Sequence, residues 1–342
     1  MFHVKRSIYY KLLREHIWQE VFGMIKPLAN QGFEVDYKKG VIKVLGDQER
    51  TFILDPLKML SAVKLFCQLG FIIDSKTEKA IKTLSRRILT LPWEKIRDEF
   101  SEILISDRVE EGVDKLFELG LLKEILPELL EGKGKNQRGD HLYDVYRHNL
   151  KTCSYVKPEL VLRLAGLLHD VGKPRCRKEK NGIPFYPRHN IKSAQMAVEI
   201  LTRFKYPKPL INQVEKLIYN HLFFYGENSP LSKLRHLMAE MGEKGIIDLI
   251  ELLYADRKAI NPEMDLSYMH RLEDKVFELL NTEGIISIDS LNISSRDIIK
   301  NLGIKEEAEI NKVLNYLWEK VLESPDLNKK QTLIKLAALH FK

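Results

Sequence analysis

Cysteine is scarce in this chain: three residues in 342, at Cys67, Cys153 and Cys176, with no C-x-x-C pair. An odd and scattered set argues against a disulfide framework and against a thiolate zinc site, and it suits free thiols in a reducing cytoplasm. Long apolar runs are also missing. None approaches the ~20 residues that cross a bilayer, so no membrane partner is expected. The opening stretch, MFHVKRSIYYKLLREHIW, lacks the continuous apolar core of a secretory signal. Short-period repeats and low-complexity segments are lacking too. With 44% apolar residues, what is left is an ordinary folded chain, long enough for two or three packed domains.

Positive charge is present but unevenly spread. The chain carries a net +7, whereas Glu131–Asn220 alone holds 18 Lys plus Arg against 8 Asp plus Glu, a local excess of 10. The remainder is therefore slightly acidic. A basic zone confined to one region attracts phosphates.

Periodicity points to an all-α protein with one small exception. Residues 1–28 read as a basic amphipathic helix, a surface for a homodimer contact or for capping the first helical domain that follows. FEVDYKKGVIKVLGD alternates apolar and polar residues around Lys38-Lys39-Gly40, which predicts a hairpin. From Asp55 the period is helical: Asp55-Pro56 is a good helix start, Leu57, Leu60, Val63 or Lys64, and Cys67 share a side, and Gly70 is a stop. Further helices are expected over about 75–89, 92–106 and 107–119, with a turn at Gly120. EGKGKNQRGD (131–140) reads as a loop or boundary. Helical patterns resume near His141 and run to about Leu280. NTEGIISIDS breaks them, and three more helices follow, with Ser294-Ser295-Arg296-Asp297 as a capping start. The expected organisation is 1–50, an N-terminal helix and hairpin; 51–130, a first helical domain; 131–280, a second helical bundle; and 281–342, a helical tail.

Within the basic zone lies LRLAGLLHDVGKPRCR, an apolar helix that ends on His169 and Asp170 and is followed at once by positive charge. Adjacent residues on a helix point about 100° apart. They reach one ion only if it lies between their directions, and one pair cannot fill a coordination shell that wants neutral imidazoles, carboxylates and open positions. Other helices must contribute. His148, His189, His221 and Asp256 are the candidates, each a lone polar residue in a largely apolar helical context.

His148, then LLHDVGKP, then Asp256 resembles the H…HD…D signature of the HD superfamily of metal-dependent phosphohydrolases. That resemblance implies one metal held by His148, His169, Asp170 and Asp256. It implies a second held by Asp170, His189 and His221, the pair of histidines found in two-metal members. The cofactor would be one or two divalent ions among Mn, Fe, Co, Ni and Mg. Lys173, one turn from Asp170, would neutralise a phosphate oxygen beside a catalytic Asp170. Arg175, Arg177 and Lys178 would hold a larger anion such as an RNA backbone. His141 would act behind the ligands or toward the substrate.

A second resemblance runs roughly from Gly40 to the end. GVIKVLGDQERTFILDPLKMLSAVKLFCQLGF and LFELGLLKEILPEL are similar to the neck of bacterial CCA-adding tRNA nucleotidyltransferases and their poly(A) polymerase relatives. FYPRHNIKSAQMAVEILTRFKYP is similar to the stretch after their HD motif, and ISSRDIIKNLGIKEEAEINKVLNYLWEKVLESPDLNKKQTLI to their tail. The head motifs of that family are not found: no Gly-Gly-x-Val-Arg-Asp turn, no Asp-x-Asp pair, no Arg-Arg-Asp. Where the family selects nucleotides with Glu-Asp-x-x-Arg, this chain has Leu54-Asp55-Pro56-Leu57-Lys58. Leu54 has no acceptor for a base edge, and Lys58 lacks the planar fork of arginine. Later arginines of that helix appear as Ser61 and Lys64.

The sequence thus predicts a neck, an HD-domain bundle and a tail, in a cytoplasmic phosphohydrolase acting on a phosphomonoester or phosphodiester. The expected substrates are a phosphorylated small molecule, a nucleotide or an RNA end such as a 2′,3′-cyclic phosphate, with tRNA as a candidate partner. Nucleotidyl transfer by this chain alone is not expected. The alternatives are a non-catalytic RNA-binding relative of the CCA-adding enzymes, and the body subunit of a split nucleotidyltransferase.

Overall fold

The structure, a computed structural model, describes residues 32–137, 142–226 and 228–341. The helix expected over 1–28 and the candidate residue His141 lie outside them. Strands β1 (Phe33–Asp36) and β2 (Val41–Val44) form the expected antiparallel hairpin, with Phe33 opposite Val44. Asp36 shapes the turn by accepting from the amides of Lys38 and Lys39. The alternation buries Phe33, Ile42 and Val44. A two-residue strand, β3 (Ile72–Ile73), joins β2 in parallel. It is too short for a period to announce it.

Helical structure begins earlier than expected. Asp47 caps α1 (Gln48–Leu54) by accepting from the Arg50 amide. Asp55 then accepts from the Leu57 amide at the start of α2 (Leu57–Leu69), which stops on Gly70 at φ 69°. Next come α3 (Ser75–Leu84), capped by Asp74, a 3-10 turn over Ser85–Thr90, α4 (Trp93–Leu104), α5 (Val109–Glu118), α6 (Leu121–Ile125) and α7 (Pro127–Leu130).

Among the described residues the second run of helices starts at Val145, where Asp144 caps it through the Arg147 amide. It comprises α8 (Val145–Tyr155), α9 (Leu160–Leu168), the single turn α10 (Lys173–Cys176), α11 (His189–Arg203), α12 (Lys208–Asn220), α13 (Leu231–Ile260) and α14 (Ser267–Thr282). Contrary to an uninterrupted helical pattern, a ribbon of β4 (Lys178–Lys180) and β5 (Ile183–Phe185) sits between α10 and α11. Asn181 (φ 53°) and Gly182 (φ 73°) make its turn, the Asn-Gly pair that suits two left-handed positions. Helix α13 is broken at Gly242, whose φ 71° and ψ 173° are not helical.

The tail consists of α15 (Ser295–Leu302), with the expected capping box between Ser294 and Asp297, α16 (Glu307–Glu323) and α17 (Lys330–Phe341). One continuous apolar core runs from Phe33 to Leu279, and a second from Ile286 to Ala337. Helix α8 packs on α9 and α13, α9 on α12, and α11 on α12, so the ends of these helices converge.

Candidate metal centre

Two glycines set the distances at this convergence. A Cβ on Gly166 of α9 would come within 2.9 Å of the Cys153 Cα, so only glycine lets α9 approach α8 this closely. A Cβ on Gly172 would meet the Ser193 amide nitrogen at 2.7 Å, and the Gly172 amide donates to Ser193 Oγ at 2.9 Å. The first contact brings His169 to His148. The second holds the turn after Asp170 against α11, whose first residue is His189.

All six candidate ligands meet. Nε2 of His148 lies 3.1 Å from Nε2 of His169, 3.0 Å from Oδ1 of Asp256 and 3.4 Å from Oδ2 of Asp170. His169 Nε2 is 3.3 Å from the same Asp170 oxygen. The other oxygen, Oδ1, is 3.2 Å from Nε2 of His189 and 3.6 Å from Nε2 of His221. His169 is the C-cap of α9, still with helical dihedrals (φ −57°, ψ −34°), and Asp170 follows it; the two neighbours meet through their side chains, Asp170 Oδ2 lying 3.3 Å from His169 Nε2.

Three of the four imidazoles are oriented alike. Nδ1 of His169, His189 and His221 faces the carbonyl of Gly166, Tyr186 and Ile218 at 2.9, 2.8 and 2.6 Å, in each case three residues back. A carbonyl only accepts, so each Nδ1 carries a proton and turns Nε2 toward the centre, the orientation of metal-ligating histidines; at His189 and His221 that Nε2 presents a lone pair, and at His169 it holds a second proton that a metal would replace. Asp170 Oδ1 is buried, accepts no hydrogen bond and faces two of these lone pairs. Acceptors gathered around an orphaned carboxylate oxygen fit a cation, and the His/Asp cluster is compatible with a divalent metal.

The electrostatics agree. Burial alone raises the Asp170 carboxyl, but Lys173 and His169 outweigh it and hold it well below the usual carboxylate range. Asp256 is lowered in the same way, burial being outweighed by His148 and His169. Burial lowers the His169 imidazole, yet Asp170 and Asp256 overcome it and bring its pKa up to about 10. Burial prevails at His221, which lies below its ordinary value.

Lys173 is buried, pairs with Asp170 Oδ2 and donates to Gln137 Oε1 at 2.7 Å. The other predicted cations lie elsewhere. Arg175 makes a two-pronged pair with Glu131, Arg177 pairs with Glu179, and Lys178 is exposed on β4. None of the three lines the cleft of about 330 Å³ that opens on the cluster. That cleft has a cation the sequence reading passed over, Arg257, together with Tyr186 and an aromatic wall of Phe223, Phe224 and Tyr268. The one signal for Arg257 was its place directly after Asp256.

Residues 138–257 match the HD domain, and residues 70–132 match the family described as the probable RNA and SrmB-binding site of polymerase A. The A-adding tRNA nucleotidyltransferase of Deinococcus radiodurans is 29% identical over 86% of this chain and 70% of its own length. The CC-adding tRNA nucleotidyltransferase of Thermus thermophilus is 27% identical over 87% and 68%. The CCA-adding enzyme of Bacillus stearothermophilus, solved with CTP, shares the fold with a TM-score of 0.59 at 16% identity, over 88% of this chain and 66% of that one. The cluster therefore belongs to an HD domain. Over most of its length the chain is similar to tRNA nucleotidyltransferases, with an HD domain at residues 138–257.

Proposed function

We propose that the chain is a metal-dependent phosphohydrolase of the HD type, acting in the cytoplasm on a phosphomonoester or phosphodiester. The observation that carries this reading is the orphaned Asp170 Oδ1, buried between Nε2 lone pairs of His189 and His221 whose Nδ1 protons are already committed. His148, His169, Asp170 and Asp256 would hold one ion, and Asp170, His189 and His221 a second. A divalent cation there supplies Lewis-acid polarisation of a phosphoryl oxygen and makes water more acidic. The chain's own part is positioning. The backbone carbonyls aim the histidines, Asp170 stays ionised, and Lys173 offsets its charge and stands ready for a phosphate oxygen.

The test is metal content by mass spectrometry together with turnover of a phosphoester panel that includes 2′,3′-cyclic nucleotides. Asp170→Asn and His169→Ala are expected to lose bound metal and to lower turnover at least about 100-fold, since removing even a partner behind a ligand costs 10–100-fold. Unchanged turnover in both variants would sink the assignment.

A second reading has its own support. The match of residues 70–132 to an RNA-binding family and the names of the two tRNA nucleotidyltransferase relatives favour RNA, tRNA in particular, as a partner of the neck and tail. Gel-shift titration with tRNA over a range of salt tests it. Binding that weakens steeply with salt is the expected result.

A further inference from the structure

We propose that Phe224, Tyr268 and Arg257 form the subsite for the organic half of the substrate, and that it takes a nucleobase. The ligand is then a nucleotide unit, with its phosphate at the His/Asp cluster. This deepens the hydrolase reading above and rests on it for the phosphate end.

The argument starts from an exposed ring. Phe224 is 57% exposed at the mouth of the cleft, three residues after His221. Leaving an aromatic face in water is unfavourable, and several contacts nevertheless hold it there. Its ring lies nearly parallel to that of Tyr268, at 5.0 Å and 18°. The Tyr268 hydroxyl is committed to the same segment, donating to the Phe223 carbonyl and accepting from the Tyr225 amide. Lys233 Nζ donates to the Phe224 carbonyl at 2.6 Å. Gly226 leaves room for the ring, since a Cβ there would stand 3.0 Å from Phe224 Cε1. The result is a flat apolar platform anchored on its backbone side and free on its outer face. Such a surface stacks planar rings whatever their hydrogen-bonding edge.

Arg257 supplies the charge. It follows Asp256 on α13 and lines the same cleft. No carboxylate lies within ion-pair distance of it among the described residues, and its contacts are the Met264 sulfur at 3.8 Å and the Tyr268 ring at 6.0 Å. A guanidinium between an aromatic face and a phosphate site suits a ligand with both features. A cleft of about 330 Å³ stands at the small end of ligand sites and suits one such unit.

Equilibrium binding to the full chain decides the matter without relying on turnover. AMP, ribose 5-phosphate and phosphotyrosine are titrated in parallel by calorimetry. AMP is expected to bind about tenfold or more tighter than ribose 5-phosphate, the effect of one stacked base. Phe224→Ala is expected to bring that ratio close to one, and Phe224→Trp to restore it. Equal binding of AMP and ribose 5-phosphate, or a ratio untouched by Phe224→Ala, overturns the proposal. Phosphotyrosine binding as tightly as AMP overturns the nucleobase assignment. If no phosphoester is hydrolysed, the hydrolase reading fails alone, and the subsite stands or falls by these ratios. A trinucleotide with a 3′-phosphate separates the two sources of this chemistry. Tighter binding than AMP marks an RNA end, weaker binding a free nucleotide, and both retain the subsite provided Phe224→Ala weakens them.

Discussion

On the proposed reading, a proton and a metal ion would compete for the same atom on His169. Its Nδ1 is spoken for by the Gly166 carbonyl, so the proton implied by a pKa of about 10 resides on Nε2, where it faces Asp170 and Asp256. Metal binding must displace it. At pH 8, loading a divalent ion is expected to release about one proton from His169, read as the slope of calorimetric enthalpy against buffer ionisation heat. A slope near zero would mean that His169 is neutral beforehand. The sign for the metal-free fold follows from the same shift. Because the folded pKa exceeds the ordinary value of about 6.5, the charged imidazole stabilises the fold fully below that pH, and the contribution is lost as pH rises through about 10. Much of this scale was legible from sequence. The His-Asp pair and its four distant partners were recognisable as residue types in apolar helices. Arg257 and Phe224 were not, because a sequence does not say on which side of a helix end a cleft will open.

At the level of elements, two close approaches decide whether the donors meet. Gly172→Ala places a methyl against backbone atoms of Lys192 and Ser193 at 3.0 and 2.7 Å, and backbone cannot step aside. The variant is expected to cost about 1–3 kcal/mol in urea denaturation, the usual price of overpacking, and to weaken metal binding through displaced His189. Gly166→Ala is expected to cost a similar amount by parting α8 from α9. Caps and stops were the most readable feature at this scale: Asp55, Gly70 and Ser294-Asp297 all do what their residue types suggest. The β4–β5 ribbon was missed for a physical reason. Lys178-Glu179-Lys180 has no apolar face to alternate, and only the Asn181-Gly182 turn betrays it. Helix α1 was missed because seven residues carry too little period to read.

For the whole molecule, one buried cation bridges the joint between the two apolar cores, beside the pair His236–Glu319. Arg235 of α13 grips Glu283 with two 2.7 Å bonds and donates to the Leu322 carbonyl of α16. Arg235→Ala is expected to destabilise by about 3 kcal/mol and to split thermal unfolding into two transitions, as calorimetry would show. A single transition at unchanged temperature would mean that packing alone holds the tail. The six donors of the candidate centre tell the complementary story. They come from α8, the end of α9, α11, the end of α12 and α13, more than a hundred residues of chain from His148 to Asp256. An ion gripping all of them would be a noncovalent crosslink across that whole bundle, so its affinity doubles as folding energy. At a free ion concentration a hundredfold above Kd the gain is about 2.7 kcal/mol. In Arg235→Ala, where the tail is expected to melt on its own, the tail transition would not feel it, since the tail holds none of the six.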